Sequence, residues 1–276
     1  MSRFFHKIRF STSASVFVRI LVATGVLLAN GACAGSPTSP TTLAAPSDIV
    51  ASGRLRVAID MRFAPPDATT NEPGGIANIA RELAKRMNVQ LEMKFYPAIN
   101  FDEDLRTRTV DVAAMASVEP DRFPGIEYTQ PIITLDTTFL VPAGSPIHVA
   151  ADADKPGVRI VVSGTTNVAL IRATVRQATI SVADSPATAL GLLRSNQADA
   201  WAQYRFTLVA SASQLPGSQV LNDTWSSGPN SMAVATGRPE LAAYVRDFAD
   251  QVRTSGLLAQ WMDRAGIPGL YVVKTW

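Results

Sequence analysis

Residues 110–116 read VDVAAMA, and the small or β-branched side chains at Val110, Val112, Ala114 and Ala116 suit a covered strand better than an exposed helix. The strand ends at Ser117. A polar turn follows, carrying Glu119 and a lone arginine, Arg122, before the step Tyr128-Thr-Gln-Pro131. A hydroxyl and a fixed cation at the carboxyl end of a covered strand stand where open α/β sheets bind ligands. A surface arginine in an ordinary loop has the same local sequence, so both readings stand until the surroundings of Arg122 are known.

Those surroundings alternate. Leu55-Arg-Val-Ala-Ile59 reads as a strand running into Asp60-Met-Arg-Phe63-Ala-Pro-Pro66, a proline-stiffened loop that puts Asp60 and Phe63 at a strand's carboxyl end. Gly74-Gly75 opens a helix whose stripe is Ile76, Ile79, Ala80, Leu83 and Met87, with Arg81, Glu82, Lys85 and Arg86 outside. A strand over 90–95 and a short helix over 102–108 lead back to the opening strand. The order β-α-β-α-β with short links predicts an α/β fold with a largely parallel sheet covered on both faces.

A chain of 276 residues with 47% hydrophobic content buries a proper core in one large or two modest domains. Four of the 25 basic residues, Arg3, Lys7, Arg9 and Arg19, precede position 33 with no acid among them. The remainder, 21 bases against 23 acids, is close to neutral, which argues against a nucleic-acid partner. One cysteine, Cys33, allows neither an internal disulfide nor a cysteine zinc site. His6 and His148 stand alone, and no Gly-x-Ser-x-Gly elbow is present. No metal or cofactor is expected.

Residues 1–32 have a basic start and then the apolar core Ile20-Leu-Val-Ala-Thr-Gly-Val-Leu-Leu-Ala29, the pattern of a signal peptide and too short for a membrane span. Asn30-Gly31-Ala32-Cys33 is similar to a bacterial lipoprotein box, with Asn where Leu is usual. Lipidation at Cys33 is the expectation, and cleavage beside it to a free secreted product is the alternative. Residues 33–50 are rich in Pro, Ser and Thr and read as an extended tether.

Taken in order, RLRVAIDMRFAPP, GGIANIARELAKRMNVQLEMKF and TVDVAAMASVEPDRFPGIEYTQPI resemble the family 3 extracellular solute-binding proteins, the polar amino-acid receptors of ABC importers. The likeness extends from about Ser52 to Val272. It implies the type II periplasmic binding protein fold, two α/β lobes of mixed, mostly parallel sheets joined by a two-strand hinge and closing on a small molecule. Lobe 1 is expected from 51–138 plus 232–276, and lobe 2 from 139–231.

Within that frame, 137–142 make the first crossing, and 158–162 form a strand ending in Ser163-Gly164-Thr165-Thr166. This turn, entering a helix over 167–175, reads either as an anion seat or as a Thr N-cap. Residues 179–182 make a strand, and Ser185-Pro186 is an N-cap and N1 pair for a helix through Asn196. Ala198-Asp-Ala-Trp-Ala-Gln-Tyr204 is the next strand. Residues 218–221 end lobe 2, 225–230 lie near the hinge, and 232–236 return to lobe 1. Leu241, Tyr244, Val245, Phe248 and Val252 form a helical stripe, and a last helix covers 257–262 before a Gly turn.

The resemblance implies that Arg122 holds a ligand carboxylate, assisted by Ser117 and by Thr165 and Thr166. Asp60, Phe63, Tyr204, Gln203 and either Tyr96 or Phe101 shape the rest. The family commonly has a carboxylate for the ligand ammonium five residues past the first aspartate of the 198–204 strand. That position here is Tyr204, which removes the charge that offsets burial of an ammonium. The implied function is an extracytoplasmic receptor, lipid-anchored through Cys33, that captures a small carboxylated or amino-acid-like ligand as a monomer and delivers it to an ABC permease. Two alternatives use the same fold: a cyclohexadienyl-dehydratase-like enzyme with Glu119 as its acid or base, and a receptor that senses without transporting. Glu119 reads equally as a solvated turn carboxylate.

Overall fold

The covered strand is β3, Val112–Ser117, and every residue in it is buried. A computed structural model describes residues 43–97, 101–119 and 123–274, with the backbone alone at 165–167. β3 lies beside β1 (Arg54–Asp60), which pairs in parallel with it and with β2 (Gln90–Tyr96). A second parallel set has β6 (Arg159–Ser163) between β7 (Thr179–Ala183) and β8 (Ala200–Tyr204). Two long strands join the sets: β5 (Ile133–Val141) and β10 (Ser226–Ala235). Their order is β2-β1-β3-β10-β5-β8-β6-β7, and the short strands β4 (Ile126–Tyr128), β9 (Gln219–Val220) and β11 (Leu270–Val272) pair with β10 or β5. β10 is antiparallel to both β3 and β5, and β5 is antiparallel to β8. This is the mixed, mostly parallel architecture expected of the type II periplasmic binding fold.

Strand alternation puts an apolar layer on each face of both sets. In the second set Ile160, Val162, Ala200 and Ala202 pack with Phe139 and Ile171 on one face. Val161 and Trp201 pack with Leu140, Leu190 and Leu208 on the other. In the first set Val57, Ile59 and Val112 meet α2 (Ala77–Met87), α7 (Pro239–Thr254) and α8 (Leu257–Ala265) through Leu83, Phe248 and Trp261. Ala58 and Ala113 face Leu105 of α3 (Asp102–Arg106), Tyr96 and Phe101. The described residues belong to one compact unit.

Local chemistry sets the helix limits where the sequence carries cap signals. α5 (Pro186–Arg194) has Pro186 at its first position, and the Ser185 side chain accepts from the backbone N–H of Thr188 at 3.1 Å. α2 stops at Asn88, which takes a left-handed φ of 54°. α4 (Thr165–Thr174) starts two residues before the expected 167, behind Gly164 at φ 82°. α1 (Ser47–Ser52) and α6 (Arg205–Ala212) were not expected. β8 passes straight into α6, because the apolar run from Ala198 to Ala212 contains no Gly or Pro to mark the change. Residues 226–230, expected beside the hinge, are part of β10 in spite of Gly228-Pro229, with Pro229 opposite Thr134 and its carbonyl accepting from Val118 N–H at 3.3 Å.

The two parallel sets share one device. Arg56 donates to the Asp111 carboxylate from its backbone N–H (2.9 Å), its Nε (2.9 Å) and its Nη2 (2.8 Å), and Asp111 N–H returns to the Arg56 carbonyl at 2.8 Å. Arg159 and Asp199 repeat the cycle at 2.8, 3.0, 2.6 and 2.8 Å. Asp111 also accepts from Arg238 at 2.8 Å, and Arg238 binds Asp48 beside α1. Asp111 is only 2% exposed. Burial pushes its carboxyl up, but the hydrogen bonds from Arg56 and Arg238 outweigh that and leave it below the usual range. Asp199 is lowered chiefly by its bonds to Arg159.

Removing one partner of a buried pair costs about 3–5 kcal/mol, so Asp111→Ala is expected to lose that much in urea unfolding. Asp199→Ala, whose side chain is 30% exposed, is expected to lose about 1.5–3 kcal/mol. Both carboxylates titrate lower folded than unfolded, so they stabilise the fold fully above the unfolded value of about 4. That contribution is lost as the pH falls through the lower folded values, and in Asp111→Asn a stability profile measured below pH 4 is expected to flatten.

Candidate functional site

The carboxyl ends of β1, β3, β6 and β8 converge where β10 crosses, the position at which open α/β sheets take ligands. A cavity of about 210 Å³ opens there. Ser117, Val118 and Glu119 line it from the end of β3, Ala169 and Leu170 from α4, and Tyr204 from the end of β8. Its floor is the crossing strand itself, Gly228 to Asn230. Strands from both parallel sets thus meet around one small space.

A polar chain crosses this space. Asn230 Nδ2 donates to the Gly228 carbonyl at 3.2 Å, which orients its amide so that Oδ1 accepts from Ser117 Oγ at 3.3 Å. The Ser117 hydroxyl also hydrogen-bonds the Tyr204 phenol. Burial pushes that phenol up, and the bond to Ser117 and the nearby Arg62 cation counter it only in part, so Tyr204 is neutral at physiological pH. Ser117 and Tyr204 were expected at the site; Asn230 was not, because Gly-Pro before it reads as a strand break.

Asp60 and Phe63 stand next to this chain and are engaged elsewhere. Asp60 is 1% exposed and takes four hydrogen bonds from Arg62: its backbone N–H at 3.0 Å, Nε at 3.0 and 3.2 Å, and Nη2 at 2.6 Å. The backbone bond caps the short 3-10 turn Met61–Phe63. The Arg62 guanidinium lies 5.4 Å from the Phe63 ring centroid and 5.8 Å from that of Phe206. Phe206 meets Phe63 edge-on at 5.0 Å and stacks on Tyr204 at 5.7 Å. Phe63 is fully buried under it. Arg62 and Phe206 escaped sequence reasoning, since neither carries a signal except the partner it meets far away in the chain.

Gln203 faces away from Tyr204, as neighbouring strand residues must. Its Nε2 donates to the Ser163 carbonyl at 2.6 Å and to Ser163 Oγ at 3.0 Å, beside the Trp201 indole, which bonds the same oxygen at 3.1 Å. Tyr96 and Phe101 pack edge-on in the core behind β1 and β3. The Tyr96 hydroxyl bonds Asp104, and burial pushes it up to about 12. Thr165 and Thr166 begin α4 after Gly164; their side chains, Arg122 and Cys33 lie outside what the structure describes. Phe123 N–H closes the loop past Arg122 onto the Glu119 carbonyl at 3.1 Å. Among the described residues, no group of His, Cys, Asp and Glu could hold a metal ion, and no helix is long and apolar enough to cross a membrane.

Comparison with curated proteins gives no match. Solved structures with the same fold include the ancestral amino acid-binding protein AncCDT-1, a precursor of cyclohexadienyl dehydratase, at 23% identity and TM-score 0.60, covering 79% of this chain and 96% of that one. The periplasmic VFT2 domain of Bordetella pertussis BvgS matches at 20% identity and TM-score 0.61, covering 78% and 94%. An amino acid ABC transporter substrate-binding protein, AbpA, from Streptococcus pneumoniae, bound to L-arginine, matches at 17% and 0.60, covering 79% and 96%. The family model for bacterial extracellular solute-binding proteins, family 3, matches residues 55–265, a span that contains β1, β3, β8, β10 and the cavity among them. The chain belongs to that family of solute-binding proteins.

Proposed function

We propose that the protein is an extracytoplasmic receptor that closes two lobes on a small carboxylated or amino-acid-like ligand and hands it to an ABC importer. The observation that carries this reading is the cavity between the two parallel sets, floored by a strand that runs through both. Closure on a ligand held from both sides follows, because only the closed form gives it every contact. Lobe 1 is 51–138 with 232–276, and lobe 2 is 139–231. Arg122, Ser117 and the start of α4 at Thr165 and Thr166 hold the carboxylate. Cys33 carries the lipid, and residues 33–50 hold the domain off the membrane as a monomer.

Binding without turnover is the reading we favour. The resemblance to a dehydratase precursor and the presence of Glu119 on the cavity wall motivate a direct check with prephenate and arogenate, of which no consumption is expected.

Calorimetry with L-arginine, small neutral amino acids and dicarboxylates is expected to find a ligand that Arg122→Ala binds about 2–5 kcal/mol more weakly. An unchanged affinity in that variant removes Arg122 from the site. A ligand at 100 times its dissociation constant is expected to add about 2.7 kcal/mol of stability, which a thermal-shift screen detects.

A further inference from the structure

We propose that Glu119 is the anchor for a cationic group on the ligand, and that the cavity selects small organic ammonium compounds through the end of β3 instead of the end of β8. The inference rests on the receptor reading and names the class of ligand.

Four observations carry it. Tyr204, at the end of β8, is neutral and its phenol is tied to Ser117, so that wall offers an ammonium no charge. Asp60, the buried carboxylate nearest that wall, gives its acceptor capacity to four hydrogen bonds from Arg62. Arg62 is the strongest of the charged groups acting on the Tyr204 phenol, ahead of Glu119 and Asp60, and it repels a cation placed there. Among the described residues lining the cavity, Glu119 alone carries a charge at neutral pH. The other lining side chains supply apolar contact, as Val118, Leu170 and Pro229 do, or neutral hydrogen bonds, as Ser117 and Asn230 do.

The size of the ligand follows from the space. A cavity of about 150 Å³ takes one benzene, so about 210 Å³ suits on the order of eight non-hydrogen atoms, with longer ligands reaching out through the open side. A compact zwitterion or amine fits. Its ammonium lies against Glu119, and its hydroxyl or amide groups meet the chain from Tyr204 through Ser117 to Asn230.

Calorimetry on the purified protein tests this with matched pairs that differ only in the nitrogen: L-alanine against L-lactate, L-serine against L-glycerate, and L-valine against its 2-hydroxy counterpart. The amine of at least one pair is expected to bind ten-fold or more tighter. Glu119→Gln is expected to shrink that preference to less than three-fold, and Glu119→Asp to retain most of it. Tyr204→Asp in the Glu119→Gln background is expected to restore it from the opposite wall. Circular dichroism checks that each variant folds, and Glu119→Ala substitutes if Glu119→Gln does not. Hydroxy acids binding as tightly as their amines, or a preference that survives Glu119→Gln, overturns the inference while leaving the receptor reading in place. No binding by any member of the panel, nor by L-arginine, overturns both.

Discussion

Asp111 and Asp199 each close a cycle with an arginine one strand away, and the registers of both parallel sets follow from it. In each case the carboxylate takes the arginine's backbone N–H and its guanidinium together, so the strand can neither slide nor rotate without breaking several charged hydrogen bonds at once. The residue after the arginine then pairs with the residue after the aspartate: Val57 with Val112, and Ile160 with Ala200. A one-residue slip reverses which side chains face which layer. The ends of β3 and β8, where Ser117 and Tyr204 sit, are therefore fixed from the opposite end of each strand. The same device in both halves makes the site a product of two similarly built walls.

The crossing strands carry a different kind of constraint. Asp136 on β5 accepts from Ser227 Oγ at 2.6 Å and Thr224 Oγ1 at 2.7 Å, and Arg205 binds the Leu221 carbonyl at 2.7 Å at the head of α6. Gly269 approaches so closely that an added Cβ would lie 2.7 Å from the Arg205 Cβ, at a φ of 76° that itself favours glycine. The polar groups around the two crossings hold the second set, α6 and the C-terminal strand β11 to one another. Where β10 changes partners, its register shifts between Ser231 and Ala233, and Thr129 accepts from Met232 N–H at 3.1 Å across that bulge.

What the sequence revealed of this arrangement was the part governed by local rules. β3, β1, α2 and the Ser185 cap are legible because alternation, helical stripes and cap chemistry act over a few residues. Ser117 and Tyr204 are legible because strand ends in α/β sheets point at one place. Arg62 is not, since an arginine in a proline-rich loop has the composition of any surface loop, and its role comes from Asp60 and the distant Phe206. Asn230 and the first half of β10 are masked by Gly228-Pro229, a pair that local statistics assign to a turn and that tertiary pairing with β5 holds extended. α6 is hidden for the opposite reason, because nothing local separates it from β8.

The floor of the cavity is backbone belonging to a strand that both halves share, with no side chain at Gly228 and no N–H at Pro229. In most pockets the walls can be recut by substitution while the frame stays as it was. Here the shape of the floor and the bend of the frame are one variable: a change in ligand outline and a change in closing angle draw on the same few dihedral angles. Specificity and motion in such a protein cannot be tuned separately at 228–230, and substitutions there are expected to alter both together.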